Sequence, residues 1–282
     1  MSATAELGAA AHDGTPAPAV SLRGAGLNYG DRTIWSGLDL DVAKAEFLVV
    51  LGPNGSGKTS LLKVLLGLTP LSAGEVAIDG QALRRGNKRV GYIPQQKMLA
   101  PGTPLRGGDL VGFGLDGHRW GMALRGRRER NRQIEHALDG VGARRYGRRG
   151  VGELSGGEQQ RLRVAQALVG DPVVLLCDEP LLSLDLANQQ VVSGLIDRRR
   201  REAGTAVVFV THEINPVLAM ADRVLYLVDG RFRIGTPEAV MNSAALSELY
   251  GARIDVLRVR DTIVVLGAAG SVDGEHHHVE GA

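Results

Sequence analysis

One glycine-rich stretch of this chain has the composition of a phosphate-binding loop: Gly52-Pro53-Asn54-Gly55-Ser56-Gly57-Lys58-Thr59. It fits the pattern G-x-x-x-x-G-K-[ST], in which glycines let backbone N–H groups approach phosphate oxygens closely. The N–H groups from Gly55 to Ser60 would surround these oxygens, and the Lys58 ammonium would reach the terminal phosphates. The Thr59 hydroxyl is placed to bind Mg²⁺. The stretch therefore predicts a site for a nucleoside triphosphate with Mg²⁺.

A second stretch suited to an anion lies well downstream, at Leu154-Ser155-Gly156-Gly157-Glu158. A Ser-Gly-Gly-Glu sequence that opens a helix presents backbone N–H groups and the positive end of the helix dipole. Two phosphate sites so far apart in one sequence predict that two copies of the chain enclose the nucleotide between them.

Two carboxylates, Asp178 and Glu179, follow the apolar run Val173–Cys177. A carboxylate at the tip of a strand suits a contact with Mg²⁺, either direct or through water, and this predicts the role of Asp178. Glu179, one residue further, is placed to orient and activate the attacking water. The alternative is a pair of carboxylates that caps the following helix.

Three further residues are candidates because of where they stand in the predicted sheet. His212 follows the apolar strand Val207–Val210, at the edge where ligands collect in open parallel sheets, and a γ-phosphate contact is predicted for it. Gln95 ends another strand, where it could contact Mg²⁺ or the water and report the nucleotide state. Tyr29, before a turn, either stacks on adenine or is an ordinary strand aromatic.

The elements that position these residues follow from apolar patterning. The continuous apolar run Phe47–Leu51 is typical of a buried parallel strand and ends at the glycine loop, and Thr59–Leu68 has helical apolar spacing. Other strands are predicted at Val20–Leu27, Leu38–Val42, Gly74–Asp79, Arg89–Ile93, Val173–Cys177 and Ala206–Val210, with hairpins at Val224–Gly235 and Ile254–Leu266. Other helices are predicted at Glu129–Leu138, Ser155–Val169 and Leu186–Arg201.

Composition limits the class of protein. The 282 residues suffice for one large α/β domain with a subdomain and a short extension, and the net charge of +2 does not indicate nucleic acid. Cys177 is the only cysteine, which excludes an intrachain disulfide and favours buried packing over a reactive thiol. No run reaches the ~18–20 apolar residues of a membrane span, and the first 19 residues lack a signal-peptide pattern. We expect a cytosolic protein.

Arginines cluster at three places, and two explanations stay open for them. They could be solvated helix faces, or they could contact anionic lipid or a cytoplasmic loop of a membrane partner. The clusters are Arg125–Arg132, Arg144–Arg149 and Arg198–Arg201.

These residues, in this order, resemble the ABC ATPase family over roughly residues 19–250. The matching motifs are the phosphate loop Gly52–Thr59, the Q-loop residue Gln95, the signature Leu154–Glu158, the magnesium and base strand Cys177–Pro180, the D-loop Ser183–Asp185 and the switch pair Thr211-His212. One departure is Leu181-Leu182-Ser183, where many members have a T-x-A-type run.

The resemblance implies a P-loop NTPase core with a parallel sheet, an antiparallel β subdomain and an inserted helical subdomain. It agrees with an ATPase domain over 19–250. Composition and patterning further predict a disordered leader over 1–18, a helical insertion at 97–152, and a C-terminal hairpin and His-containing tail over 251–282. The cofactors would be ATP and Mg²⁺.

The resemblance also implies the roles of the site residues. Two subunits would meet head to tail, so that Ser155 and Gly157 of one contact the γ-phosphate held by Lys58 of the other, with Asp185 at the seam. Catalysis is assigned to Lys58, Gln95, Glu179 and His212, and Mg²⁺ to Thr59, Gln95 and Asp178. The nucleotide is assigned to Tyr29, Gly52, Pro53, Asn54, Gly55, Ser56, Gly57, Lys58, Thr59, Ser60, Ser155, Gly156, Gly157, Glu158 and Asp185.

An ATPase domain of this kind would work with separate integral-membrane permease subunits, through the subdomain after Gln95, at the cytoplasmic face of the plasma membrane. An extracytoplasmic substrate-binding protein would act indirectly, and no nucleic acid is expected. The segment Tyr250-Gly251 and the hairpin after it look like the end of zinc/manganese-type importer ATPases, which predicts import of a divalent metal.

Other functions stay open at this stage. The stretch Ala219–Asp222 with Thr236-Pro237 is shared with siderophore and cobalamin importers, so an iron-siderophore or cobalamin importer is the first alternative. An exporter, or a soluble ABC ATPase acting on ribosomes or DNA, is less favoured, because there is one ATPase domain and only a short insertion. His276–His278 could bind a transition metal or form a passive solvated tail.

Overall fold

The computed structural model describes residues 17–95, 99–100, 102–116 and 126–267. Twelve strands and seven α-helices lie within these ranges, joined by short 3₁₀ turns at Arg144–Tyr146, Val151–Glu153 and Asn215–Met220. In chain order they are β1 Val20–Tyr29, β2 Arg32–Val42, β3 Phe47–Leu51, α1 Lys58–Leu65, β4 Ala73–Ile78, β5 Gln81–Ala82, β6 Val90–Ile93, α2 Gly107–Asp116, α3 Arg127–Gly140, α4 Gly156–Leu168, β7 Val174–Asp178, α5 Leu186–Ala203, β8 Ala206–Val210, β9 Arg223–Val228, β10 Arg231–Gly235, α6 Pro237–Val240, α7 Ser243–Tyr250, β11 Ile254–Val259 and β12 Thr262–Gly267.

A six-stranded sheet forms the centre, in the order β10-β9-β3-β8-β7-β6. The strands from β9 to β6 pair in parallel, and β10 adds an antiparallel edge. Because parallel strands end at the same edge, the residues that follow β3, β6, β7 and β8 collect there. The expected α/β core with a parallel sheet is confirmed.

The central sheet separates two hydrophobic cores, and β3 supplies both of them by strict alternation. Phe47, Val49 and Leu51 belong to the core shared with α4, α5 and the C-terminal hairpin. Leu48 and Val50 belong to the core shared with α1 and the antiparallel sheet β2-β1-β4-β5. Strands that are covered on both faces are mostly apolar along their length, so β3, β7 and β8 can be recognised in the sequence as apolar runs.

The region between β6 and α4 contains more helix than the sequence predicts. One helix was expected there, and the structure has two, α2 and α3, which pack on each other and on α4. Glycine disfavours helix, and α2 contains four glycines, so propensity hides it. These glycines permit close backbone contact: a Cβ on Gly107 would lie 2.5 Å from the Tyr146 carbonyl, and one on Gly114 would overlap with the Gln166 carbonyl. Tertiary packing therefore overrides propensity.

The strands β11 and β12 form an antiparallel hairpin beside α7. Ile254 and Ile263 anchor the hairpin in the core of the central sheet. Residues 1–16 of the predicted leader and the His276–His278 tail lie outside the described residues, and the predicted domain boundaries stay predictions. In the described part of the chain, no helix combines the length and apolarity needed to cross a bilayer.

Two glycine-to-alanine changes test this packing with opposite signs. In Gly91→Ala the new Cβ would overlap with the Ala167 carbonyl and approach Pro172 Cγ to 3.0 Å, so we expect destabilisation by about 1–3 kcal/mol. In Gly194→Ala, within α5, the Cβ meets no atom within 4 Å, so we expect a gain of roughly 0.5–1 kcal/mol. Urea denaturation of both variants measures these changes, and a Gly91→Ala protein as stable as wild type would contradict the close packing of β6 on α4.

Candidate functional site

The glycine loop joins β3 to α1 at the carboxyl edge of the central sheet. Gly52, Gly55 and Gly57 have φ angles of 142°, 79° and 100°, which favour glycine. A Cβ on Gly52 would overlap with the Leu227 carbonyl, and one on Gly57 would lie 2.5 Å from Ile34 Cγ2. Gly55 faces open space instead. The loop is therefore packed on its inner side and open on its outer side.

Lys58, the first residue of α1, directs its ammonium back into the loop. Its Nζ donates hydrogen bonds to the carbonyl oxygens of Gly52 at 2.6 Å and Pro53 at 2.9 Å. Burial lowers the pKa of Lys58, and the nearby charges of Glu179 and Asp178 oppose this shift. The loop thus holds a desolvated cation, which attracts a polyanion more strongly than an exposed lysine does.

The Ser56 hydroxyl tests whether the loop fits a phosphate. Ser56 is buried, and among the described residues its Oγ has no hydrogen-bond partner. Leaving a buried hydroxyl unpaired costs about 1–3 kcal/mol. A phosphate oxygen in the loop would accept this hydrogen bond, so the residues present fit a phosphate. Thr59 and Ser60 follow on the first turn of α1, where Thr59 is exposed.

Asp178 and Glu179 stand at the end of β7, in the same edge of the sheet. Asp178 is buried, and burial, followed by the charge of Glu179, raises the pKa of its carboxyl. The Tyr92 hydroxyl lies 3.4 Å from Asp178 Oδ2, and burial together with Asp178 raises the pKa of Tyr92 to about 12. A buried carboxylate with a raised pKa favours a cation beside it.

The backbone of Glu179 takes a left-handed conformation with φ of 46°, which is unusual for a residue with a side chain. Its N–H donates to the Val210 carbonyl at 2.9 Å, which ties it to the end of β8. Glu179 Oε2 lies 3.4 Å from Nδ1 of His212. The carboxylate and the imidazole therefore meet beyond the sheet edge. Lys58 is also near, because the charge of Glu179 acts to raise the pKa of Lys58.

Gln95 and Tyr29 lie at the margins of this group. Gln95 is exposed, two residues after β6 and thus beside the end of β7. Tyr29 ends β1 and is about half exposed, and its hydroxyl hydrogen-bonds with Ser60 and Thr69. The hydrogen bond with Ser60 is the main cause that lowers the pKa of Tyr29. The structure thus places Tyr29 next to the first turn of α1.

The second glycine-rich motif forms the N-terminus of α4. Ser155 caps this helix: its Oγ accepts from the Glu158 N–H at 3.3 Å, and its own N–H donates to Glu158 Oε2 at 2.9 Å. Burial acts to raise the pKa of Glu158, but the hydrogen bonds from Ser155 and Tyr146 and the charge of Arg149 together lower it. This reciprocal capping box fixes Gly156 and Gly157 in the first helical turn.

Asp185 caps the neighbouring helix α5 and connects the two helix starts. Its carboxylate accepts from the backbone N–H of Asn188 at 2.7 Å and from the side-chain amide of Asn188 at 2.9 Å. These hydrogen bonds lower the pKa of Asp185. The Asn188 amide lies so close to Gly157 that a Cβ on Gly157 would overlap with Asn188 Oδ1. Asp185 therefore acts on the turn of α4 through Asn188.

Comparison with known proteins agrees with this geometry. The family model described as ABC transporter matches residues 35–182 of the chain. The chain belongs to the ABC transporter family. The expected family is therefore confirmed, and the match spans the glycine loop, the α4 motif and the Asp178-Glu179 pair.

Relatives in the ABC transporter family differ in what they import. A spermidine/putrescine import ATP-binding protein of Oleidesulfovibrio alaskensis is 36% identical over 82% of this chain and 61% of its own length. A zinc import ATP-binding protein of Alcanivorax borkumensis is 33% identical over 84% of this chain and 85% of its own length. The chain thus spans about three fifths of the length of the polyamine protein.

A solved structure of a metal-chelate type ABC transporter in an inward-facing conformation has the same fold. It superimposes with a TM-score of 0.73 at 27% identity, over 88% of this chain and 95% of that chain.

The sequence analysis did not identify three residues of this ABC chain that contact the segments around the site. Gln159 and Gln160 on α4 are buried: Gln159 Oε1 accepts from the Leu99 N–H at 3.0 Å, and Gln160 Nε2 donates to the Pro180 carbonyl at 2.8 Å. They connect α4 to the segment after Gln95 and to the segment after Glu179. Buried amides in a polar stretch carry no periodic signal, whereas Asn188 could have been found as the partner of a helix cap.

A pair of variants tests the contact between Gly157 and Asn188. Gly157→Ala places a methyl group against the Asn188 amide, and we expect it to lower nucleotide turnover by about tenfold, which corresponds to about 1.4 kcal/mol. The double variant Gly157→Ala with Asn188→Ala removes the overlap and should regain part of the rate. Steady-state rates measure this, with Asn188→Ala alone as the control. A double variant no faster than Gly157→Ala would rule out this overlap as the cause.

Proposed function

We propose that this chain is the ATP-binding and ATP-hydrolysing subunit of an ABC importer that works with separate permease subunits. The observation that carries the proposal is the meeting of Lys58, Glu179 and His212 beside Asp178 at the sheet edge, next to a glycine loop whose buried Ser56 hydroxyl has no partner among the described residues. A buried cation stabilises phosphate charge, and carboxylates can hold Mg²⁺ and orient the attacking water, which are the contributions on which phosphoryl transfer depends.

The roles follow from these positions. Lys58 and the N–H groups of the glycine loop bind the phosphates, and Tyr29, beside Ser60 in the first turn of α1, stacks on adenine. Thr59, Asp178 and Gln95 would hold Mg²⁺, which neutralises the charge on the phosphates when bound. Glu179 orients the attacking water and accepts its proton.

His212 completes this half of the site. Its Nδ1 lies 3.4 Å from Glu179 Oε2, and a ring with a proton on each nitrogen can donate both to Glu179 and to a γ-phosphate oxygen, since a neutral ring has only one N–H. Its imidazole therefore holds the catalytic carboxylate in place and senses the group that hydrolysis removes.

The other half of the site comes from a second copy of the chain, in a head-to-tail dimer. The Ser155 hydroxyl caps α4, which orders the first turn of that helix. In the proposed dimer the positive end of this helix dipole faces the partner's γ-phosphate. Asp185, exposed at the start of α5, lies beside this turn and belongs to the same dimer surface. ATP bound between the copies stabilises the closed dimer, and hydrolysis releases it.

The change Glu179→Gln tests the base. It keeps the shape of the side chain but removes the proton acceptor, so we expect ATP turnover to fall by about 10²–10⁴-fold. ATP binding should persist, and the dimer should accumulate with ATP in size-exclusion chromatography.

The matched control is Glu213→Gln, an exposed carboxylate one residue after His212. This variant should turn over ATP like wild type. Unchanged turnover in Glu179→Gln would falsify the assigned base.

The permease contact is proposed for the helices after Gln95. A cavity of about 460 Å³ lies between α2, α3 and the turn that follows them, and Ile134 and Leu138 are the apolar side chains of its lining. Its charged lining residues are four arginines and two carboxylates: Arg130, Arg144, Arg145, Arg148, Asp109 and Glu135. Apolar groups with an excess of basic over acidic side chains fit an amphipathic cytoplasmic loop that carries acidic residues. The chain would then sit peripherally at the cytoplasmic face of the membrane.

The proposed cargo is a divalent metal ion, zinc or manganese. The chain matches 85% of the length of the zinc import relative, against 61% of the polyamine import relative. Its match to the metal-chelate type structure covers 95% of that chain. The likeness to the metal-chelate type structure favours the second candidate, an iron-siderophore or cobalamin importer.

The cargo is tested with the complex reconstituted in lipid vesicles, with its permease and its substrate-binding protein. We expect the binding protein loaded with Zn²⁺ or Mn²⁺ to stimulate ATP hydrolysis, since cargo-loaded binding protein would favour the closed dimer. Stimulation by a ferric chelate alone would select the second candidate. If no metal-loaded form stimulates, the metal assignment is wrong, and the Glu179→Gln complex gives the background rate.

A further inference from the structure

The two outer edges of the C-terminal hairpin are covered by side chains rather than by strands. On the β11 side, Ser243 Oγ accepts from the Val256 N–H at 2.8 Å. Ser247 Oγ accepts from the Ile254 N–H at 2.9 Å and donates to the Ile254 carbonyl at 3.1 Å. These hydroxyls attach β11 to helix α7.

Among the described residues, Asn215 is the side chain that hydrogen-bonds to the outer edge of β12. Its Nδ2 donates to the Ile263 carbonyl at 3.0 Å, and its Oδ1 accepts from the Ile263 N–H at 2.8 Å. A carboxamide that pairs with both backbone groups of one residue reproduces the hydrogen bonds of a neighbouring strand. Ile263 itself is buried in the core, so the anchor point is rigid.

Asn215 lies three residues after His212, at the start of the 3₁₀ turn. His212 is 54% exposed, so side-chain packing contributes little to its position. The backbone around it is fixed on one side by the Thr211 N–H, which donates to the Val50 carbonyl of β3 at 3.1 Å. On the other side Ile214 is buried in the core, and the first long-range hydrogen bonds of the described residues after His212 are those of the Asn215–Ile263 pair.

We infer that Asn215 is a positioning residue for His212, and that the β11–β12 hairpin acts on the hydrolysis step through it. The inference rests on the proposed function, because it assigns the hairpin to the same catalytic site. With the pair intact, the segment after β8 is held between β3 and β12, and the imidazole stays near Glu179. Without it, the segment keeps the packing of Ile214 and Val217 but loses its hydrogen bonds to β12, so the imidazole is held less closely to Glu179.

The predicted kinetic signature is specific. ATP binding depends on the glycine loop and Lys58. The Asn215–Ile263 hydrogen bonds attach the hairpin to the segment after His212 and not to that loop. Misplacing one catalytic group can lower a rate by up to about 10²-fold while leaving binding intact. The change Asn215→Ala should therefore lower kcat by about tenfold and leave KM for ATP within about twofold of wild type.

The experiment compares steady-state ATP hydrolysis by full-length variants. Asn215→Ala deletes two hydrogen bonds at the β12 edge, and the matched control Ser247→Ala deletes two at the β11 edge. The control loosens the same hairpin but leaves the segment after His212 attached, so its kcat should stay near wild type. The conservative variant Asn215→Asp keeps the acceptor for the Ile263 N–H and should regain part of the rate. Thermal unfolding of each variant reports on folding.

Equal kcat values for Asn215→Ala and Ser247→Ala would overturn the inference, as would a raised KM with unchanged kcat. If Asn215→Ala fails to fold, the comparison of Asn215→Asp with Ser247→Ala decides, and equal rates again overturn it. A wild-type chain that hydrolyses no ATP would overturn the proposed function and this inference with it. Normal wild-type turnover with unaffected Asn215 variants would overturn the inference alone.

Discussion

The register of the parallel strands determines which polar groups meet in this molecule. Asp178 at the end of β7 is level with Val210 at the end of β8, and Val210 is level with Val50 of β3. The glycine loop that carries Lys58, the residue Glu179 and the residue His212 therefore follow strand ends that lie level with one another, although they are far apart in sequence. A slip of one residue would exchange the two faces of a strand and move its core residues to the wrong side. The two cores on either side of the sheet exclude that slip, so packing fixes the geometry of the chemistry.

The electrostatics of the edge follow from the same burial. Lys58 and Asp178 carry opposite charges where little water reaches them. Burial lowers the pKa of Lys58 and raises the pKa of Asp178, which in each case favours the neutral form. Each group partly relieves the other, and the Gly52 and Pro53 carbonyls take the lysine hydrogen bonds. In the proposed function, a phosphate that enters the loop would exchange these internal hydrogen bonds for ionic ones and would accept a hydrogen bond from the Ser56 hydroxyl. The loop is thus assembled before a ligand arrives, and binding requires little reorganisation.

How far the sequence could predict this structure depends on the range of the interactions involved. Buried strands are legible as apolar runs, so the polar residues after them, such as Glu179 and His212, could be assigned to one edge. Helix α2 could not be predicted, because its glycines serve contacts with Tyr146 and Gln166 that only the folded chain brings together. The pairing of Asn215 with Ile263 and of Gln159 with Leu99 joins distant segments, and no local pattern announces it.

Helix α4 is the element in which these long-range contacts converge. Its first turn lies against Asn188, and its buried amides bond to Leu99 and to the Pro180 carbonyl. Buried amides stabilise only when their partners stay in place, since an unpaired amide in a core is costly. The helix start is therefore coupled to the segments that follow Gln95 and Glu179 of the same chain. In the proposed dimer that start faces the partner's nucleotide, so the state of one sheet edge bears on the opposite site through a single rigid helix.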